Sequence, residues 1–133
     1  DDTALYLRLE AVEPHIRMEE NGPLADVCRD SCMEFFFRPT ERPDYFNVEM
    51  NPNKAIWLGV GPCIQELIRL QVPRVHTMLD TQVEFTDTGW VLKYQIPFAF
   101  ICGLFMGYAV VITESLWTGV VIHALNNSIS CIH

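Results

Sequence analysis

Apolar and polar residues alternate along most of the first hundred positions. Leu5, Leu7 and Leu9 stand against Tyr6, Arg8 and Glu10, the period of a half-buried strand. "ENGPL" (Glu20 to Leu24) reads as a turn, with Asn-Gly followed by Pro. "DSCMEFFF" then sets Met33, Phe35 and Phe37 on one face and Cys32, Glu34 and Phe36 on the other. "RPTERPD" interrupts it with two prolines, and "YFNVEMN" resumes with Phe46, Val48 and Met50 inward and Tyr45, Asn47, Glu49 and Asn51 outward. The two runs predict a β-hairpin. Further strands are predicted at Ala55–Val60, Gln82–Phe85 and Trp90–Ile96, the last entered through the turn "TDTG". The stretch from Ile64 to Leu70 fits a short helix or an irregular connection equally well. Short strands punctuated by Pro, Gly, Asn and Asp predict an antiparallel sandwich.

After Pro97 the pattern changes. Phe98 to Thr113 carries no charge and Ser115 to His133 carries none, with Glu114 between them. Each piece is near the lower limit, about 17 residues, for a membrane-crossing helix. Gly103 and Gly107 form the G-x-x-x-G spacing that lets helices approach closely in a bilayer. Two arrangements are therefore expected for the tail: folded back on the open sheet as one or two helices in water, or in membrane contact through residues 98–133.

Charge follows the same partition. Net charge is −8 over 133 residues, yet every charged residue except Glu114 precedes Gln95. That acidity argues against a nucleic-acid partner, because phosphate binding needs a basic surface. The count of five cysteines is odd and holds no C-x-x-C pair, so neither a disulfide scaffold nor a zinc ribbon is indicated. The start, Asp1-Asp2-Thr3, has none of the character of a signal peptide, which leaves the compartment unassigned.

Candidate chemistry gathers on the hairpin. If Pro39 to Asp44 form its loop, Glu34 falls directly opposite Glu49, and like charges so placed cost stability. Either Arg29, Arg38 or solvent compensates, or the polar face with Asn47, Asn51 and Tyr45 accepts hydrogen bonds from sugar hydroxyls or holds a cation. Carboxylates on adjacent strands also fall near the retaining-glycosidase spacing of about 5 Å. A catalytic pair would further require a cleft and a raised pKa, so no enzyme activity is expected here.

"NGPLADVCRDSCMEFFFRP", "YFNVEMNP" and "GWVLKYQIPFAFI" together resemble the family 9 carbohydrate-binding modules and their bacterial relatives, over residues 1–101. The resemblance implies a β-sandwich attached to polysaccharide-degrading enzymes, binding sugars and often calcium. Glu34 matches that family's sugar-contacting acid. The position six residues earlier, where the family carries a stacking tryptophan, is Cys28, and the second stacking tryptophan belongs to a segment this chain does not contain. Alternation puts Trp90 in the core with Leu92 and Ile96, and leaves Trp57 as the better stacking platform. The carbohydrate contacts implied are Glu34, Asn47, Glu49, Asn51, Tyr45 and Trp57.

The tail resembles a different family. "GLFMGYAVVITESLWTGVVIHALNNSIS" is similar to the final helices of the CPBP (CAAX-type) intramembrane metalloproteases, with His123 and Asn127 fitting their H-x-x-x-N motif. Residues at i and i+4 share a helix face. A working zinc site takes three protein ligands, so His123 and Asn127 read as a remnant metal motif and zinc is not expected there. The expectation is thus a chimera: a truncated, mainly β antiparallel sandwich over residues 1–101, joined to a hydrophobic helix or helical hairpin over 102–133.

Overall fold

A computed structural model of the chain describes residues 3–39, 41–72 and 74–114. Two compact units divide it, Asp1–Ile96 and Pro97–His133.

The first unit is a small β-rich fold of two mostly antiparallel sheets. Strands β1 (Ala4–Val12), β7 (Gly89–Pro97) and β6 (Gln82–Phe85) form a three-stranded sheet in the order β1-β7-β6. Strands β2 (Met33–Phe37), β3 (Tyr45–Met50), β4 (Ile56–Gly61) and the short β5 (Ile68–Arg69) form the second, in chain order. The ambiguous stretch resolves into a 3-10 turn at Ile64–Glu66 followed by β5, and a five-residue helix α1 spans Val75–Leu79.

Alternation sets which residues are covered. Phe46, Val48 and Met50 of β3 and Leu58 and Val60 of β4 are buried on one face, as are Trp90, Leu92 and Ile96 of β7. Each strand thereby removes several large apolar side chains from water, about 1.5–3 kcal/mol apiece. Stacked rings extend that apolar face: Phe37 lies 5.3 Å from Phe46 and 5.7 Å from Phe35, centroid to centroid. At the edge of the other sheet Leu7 and Leu9 are only half-buried, because β1 has a neighbour on one side alone.

The hairpin has the predicted register. Glu34 pairs with Glu49, Phe36 with Asn47, and Phe37 with Phe46. One expectation is corrected. Asn47, Glu49 and Asn51 face away from the apolar core but are not open to water, being 4 %, 7 % and 0 % exposed. The reason is a cover: the chain between β1 and β2 folds over that face, and its 3-10 turn at Val27–Arg29 packs against β3. Ala25 and Val27 form a small apolar cluster there with Ala55, and Cys32 and Trp57 pack against it.

Polar knots hold the cover down. Asp30 accepts the backbone N–H groups of Glu19 (3.1 Å) and Glu20 (2.8 Å) and the Asn51 side-chain amide (2.8 Å). Asn51 also donates to the Glu20 carbonyl at 2.8 Å and accepts the Ala55 N–H at 2.9 Å. Burial alone would raise the Asp30 carboxyl, but these donors and Arg17 hold it below its ordinary value. Further along, Arg69 of β5 donates to the carbonyls of Pro23, Leu24 and Ala25, clamping the turn in which Gly22 takes φ +88°. Glu13, just past β1, fastens the cover to β7, accepting Trp90 Nε1 at 3.1 Å and the Ser31 hydroxyl at 2.5 Å.

The second unit begins where Pro97 ends β7. Helix α2 (Phe98–Thr113) has 16 residues and stops at Glu114, which adopts the left-handed conformation at φ 50°. At 1.5 Å per residue it is about 24 Å long. Among the described residues no helix is long and apolar enough to cross a membrane. Gly103 and Gly107 are both exposed on α2. His123, Asn127 and the second uncharged piece lie outside the described residues.

Candidate functional site

The face of the four-stranded sheet that carries the polar residues is organised in cross-strand rows. Glu34, Glu49 and Trp57 form one row across β2, β3 and β4. Phe36, Asn47, Gly59 and Arg69 form the next, across all four strands. Tyr45 and Gly61 pair at the end of the face. Register alone explains the gathering, since residues directly opposite on one face sit about 4.5–5.5 Å apart between Cβ atoms.

Within these rows the burial is graded. Glu34 is exposed at the β2 edge, Trp57 and Tyr45 are half-buried, and Asn47 and Glu49 lie beneath the cover. Trp57 lies over Gly59: a Cβ at that glycine would come within 2.2 Å of the far edge of the indole. The glycine thus makes the flat seat for the ring. Tyr45 meets Phe36 edge-on at 5.7 Å between centroids. One aromatic plate and one aromatic pair therefore flank the carboxylates.

Hydrogen bonding on this face is incomplete. Asn47 Nδ2 donates to Glu34 Oε2 at 3.3 Å, but Asn47 Oδ1 and Glu49 Oε1 are buried without a partner among the described residues. Buried polar atoms are rarely left so, since each forfeits about 1–3 kcal/mol of solvation. The Cys32 thiol hydrogen-bonds to Glu49, and burial followed by that bond pushes it up to about 12. Burial also raises the Glu49 carboxyl, and the Glu34 charge adds to it, outweighing the Cys32 bond and the more distant Arg69.

The compensating arginine does not arrive. Arg29 is drawn to Glu20, 3.9 Å away, and no ion pair to Glu34 or Glu49 occurs among the described residues. Arg69, the cation nearest by register, has its guanidinium engaged by backbone carbonyls. Compensation for the like-charge row is thus left to solvent at the exposed Glu34, the Asn47 amide and the Cys32 thiol.

Of the six residues singled out from the sequence, the sheet gathers Glu34, Asn47, Glu49, Tyr45 and Trp57 on one face. Asn51 shares the face but has its amide wholly engaged by Glu20, Asp30 and Ala55. Cys32 and Arg69 escaped attention. Cys32 had a signal in its alternation with Glu34, whereas Arg69 had none, because β5 has only two residues.

Comparison with known proteins gives two matches of different kinds. The model of the family "Rce1-like: Type II CAAX prenyl endopeptidase Rce1-like" matches residues 55–129, which takes in β4 to β7 as well as α2. Among solved structures, the chain resembles a protein from Bacteroides uniformis ATCC 8492, provisionally described as carbohydrate-binding, with a TM-score of 0.62 and 22% identity. That likeness covers 74% of this chain and 50% of the other, so the chain spans about half the length of the structure it matches, and it speaks to the fold. No curated protein matches the chain.

Proposed function

The chain belongs to the Rce1-like family, and we propose that its β-rich unit is a non-catalytic carbohydrate-binding module of the family 9 type. The observation that carries this reading is the half-covered row Glu34–Glu49–Trp57 beside Asn47, where two buried acceptors have no donor. A sugar presents vicinal hydroxyls, which donate, and an apolar ring face, which stacks on an indole. Glu34 at the exposed edge makes first contact, Trp57 on its Gly59 seat supplies the stacking face, and Asn47 and Glu49 accept hydrogen bonds from hydroxyls below. Tyr45 and Phe36 limit the site at its far end. The relative from Bacteroides uniformis supports the assignment at the level of fold. Asn51 belongs to the scaffold of this site.

The test is isothermal titration of the full chain, stripped of metal, with a panel of mono- and oligosaccharides. One sugar class is expected to bind, with Glu34→Ala weakening it about tenfold while the melting temperature stays put. Equal affinity in that variant would remove Glu34 from the contact set.

The family match favours a second reading, in which residues 55–129 belong to a CAAX-type peptidase completed by helices elsewhere. In it His123 and Asn127, four residues apart in the sequence, belong to a site that needs further ligands. Stoichiometric zinc lost on His123→Ala would favour that reading over the first.

A further inference from the structure

Three metal-ligating groups meet on the polar face, and only two of them serve the sugar argument. Cys32 Sγ, a Glu34 oxygen and a Glu49 oxygen all lie within 4.8 Å of one another. They come from the entry to β2, from β2 itself and from the strand beside it, so the hairpin register fixes their meeting. Two carboxylates opposite each other repel, and no arginine or lysine pairs with either among the described residues.

A second observation points the same way. Asn47 is 4 % exposed, its Nδ2 is directed to Glu34 Oε2, and its Oδ1 has no partner. Glu49, 7 % exposed, also has an unpartnered Oε1. The surplus at this place consists of acceptors, and the groups that would relieve it are a cation and the water it carries.

We propose that Cys32, Glu34 and Glu49 bind a divalent, thiophilic cation of the zinc class, with Asn47 Oδ1 accepting a hydrogen bond from the water that completes its coordination. The donor set selects the ion. Calcium and magnesium take six or more oxygens and avoid sulfur, whereas zinc accepts thiolate and carboxylate together in a four-coordinate site. Zinc–sulfur and zinc–oxygen bonds of about 2.3 and 2.0 Å place these tetrahedral ligand atoms about 3.3–3.5 Å apart. The three groups must therefore draw in by about 1 Å, and the exposed Glu34 side chain, held by one long hydrogen bond from Asn47, is the one that can move. Glu34 also leaves the way in open. Binding releases the Cys32 proton to solvent, because the thiolate is the ligand. The sequence arguments against zinc concerned a C-x-x-C ribbon and the pair His123 and Asn127, and neither bears on one thiolate with two carboxylates, nor does the site depend on the sugar reading.

The experiment is a titration of the metal-stripped, phosphine-reduced full chain with cobalt(II), then with zinc. One equivalent of cobalt should give thiolate-to-metal charge-transfer absorption, which one equivalent of zinc abolishes and millimolar calcium leaves unchanged. Cys32→Ser should remove the absorption and weaken zinc by at least the roughly 10–100-fold that loss of a mere supporting residue costs. Cys28→Ser, at the exposed thiol four residues away, should change nothing. If Cys32→Ser does not fold by circular dichroism, Glu34→Gln decides, since an exposed side chain can be replaced safely; it too should weaken zinc. Absence of the band, its survival in Cys32→Ser, or loss of zinc in His123→Ala instead would each overturn the proposal. Sugar binding, read on the stripped protein, stands or falls separately.

Discussion

Asn47 and Asn51 lie on the same face of one strand and its immediate extension, four residues apart, and both are covered. Their amides live differently. Asn51 holds Asp30 and Glu20 with its nitrogen and Ala55 with its oxygen, whereas Asn47 gives one long hydrogen bond to Glu34 and leaves its oxygen alone. At the Asn51 end buried polarity is matched donor to acceptor, and it fastens the cover to the sheet. At the Asn47 end acceptors outnumber donors, and the mismatch is left for something from outside. The contrast separates scaffold from site where burial alone would place both in one class.

The largest break in this comparison comes at the scaffold end. Asp30→Ala strips partners from two backbone N–H groups and from the Asn51 amide, and should cost about 3–4 kcal/mol in a urea titration. If the loss is under about 1 kcal/mol, the knot is not what holds the cover.

pH sharpens the same point. The Asp30 carboxyl titrates lower folded than unfolded, so the stability it contributes is complete above the usual carboxylate range. That stability is lost as pH falls through the depressed folded value. Urea midpoints of the metal-stripped wild type should therefore drop on acidification below about pH 4, and Asp30→Asn should flatten that part of the drop.

Arg69→Leu comes next. It removes the clamp on the 23–25 segment and should cost about 1–2 kcal/mol. It should also speed proteolysis of the cover before β2. Unchanged cleavage there would show that the Asp30 knot suffices.

At the site end the stability effects should be small and the binding effects large. Glu49→Gln removes a buried carboxylate that no base neutralises, so the stripped variant should melt within about 1 kcal/mol of wild type or above it. A loss as large as that of Asp30→Ala would make Glu49 part of the scaffold and erase the distinction. Smallest of all, Glu34→Ala should leave stability unchanged within about 0.5 kcal/mol, because its side chain is exposed.

Local pattern determined a good deal of this protein. The period of two placed β1, the β2–β3 hairpin, β4, β6 and β7, because a strand exposing alternate faces to core and solvent writes that alternation into the chain. It also fixed the register, since two prolines bound a loop whose length leaves Glu34 opposite Glu49. The loss of charge after Gln95 marked a change of character along the chain, although the units divide at Pro97 and not at residues 101–102 where the sequence placed the junction. What alternation could not say is what lies above the second face. A polar residue outside the core reads as solvent-facing until a distant segment folds over it. Here residues 13–32 do so through Asp30, Ser31 and the Arg69 clamp, by contacts spanning up to 46 positions. Only the tertiary structure decided that Asn51 is structural and that Glu49 is buried without an ion pair, because each depends on groups brought together by the fold and distant along the chain.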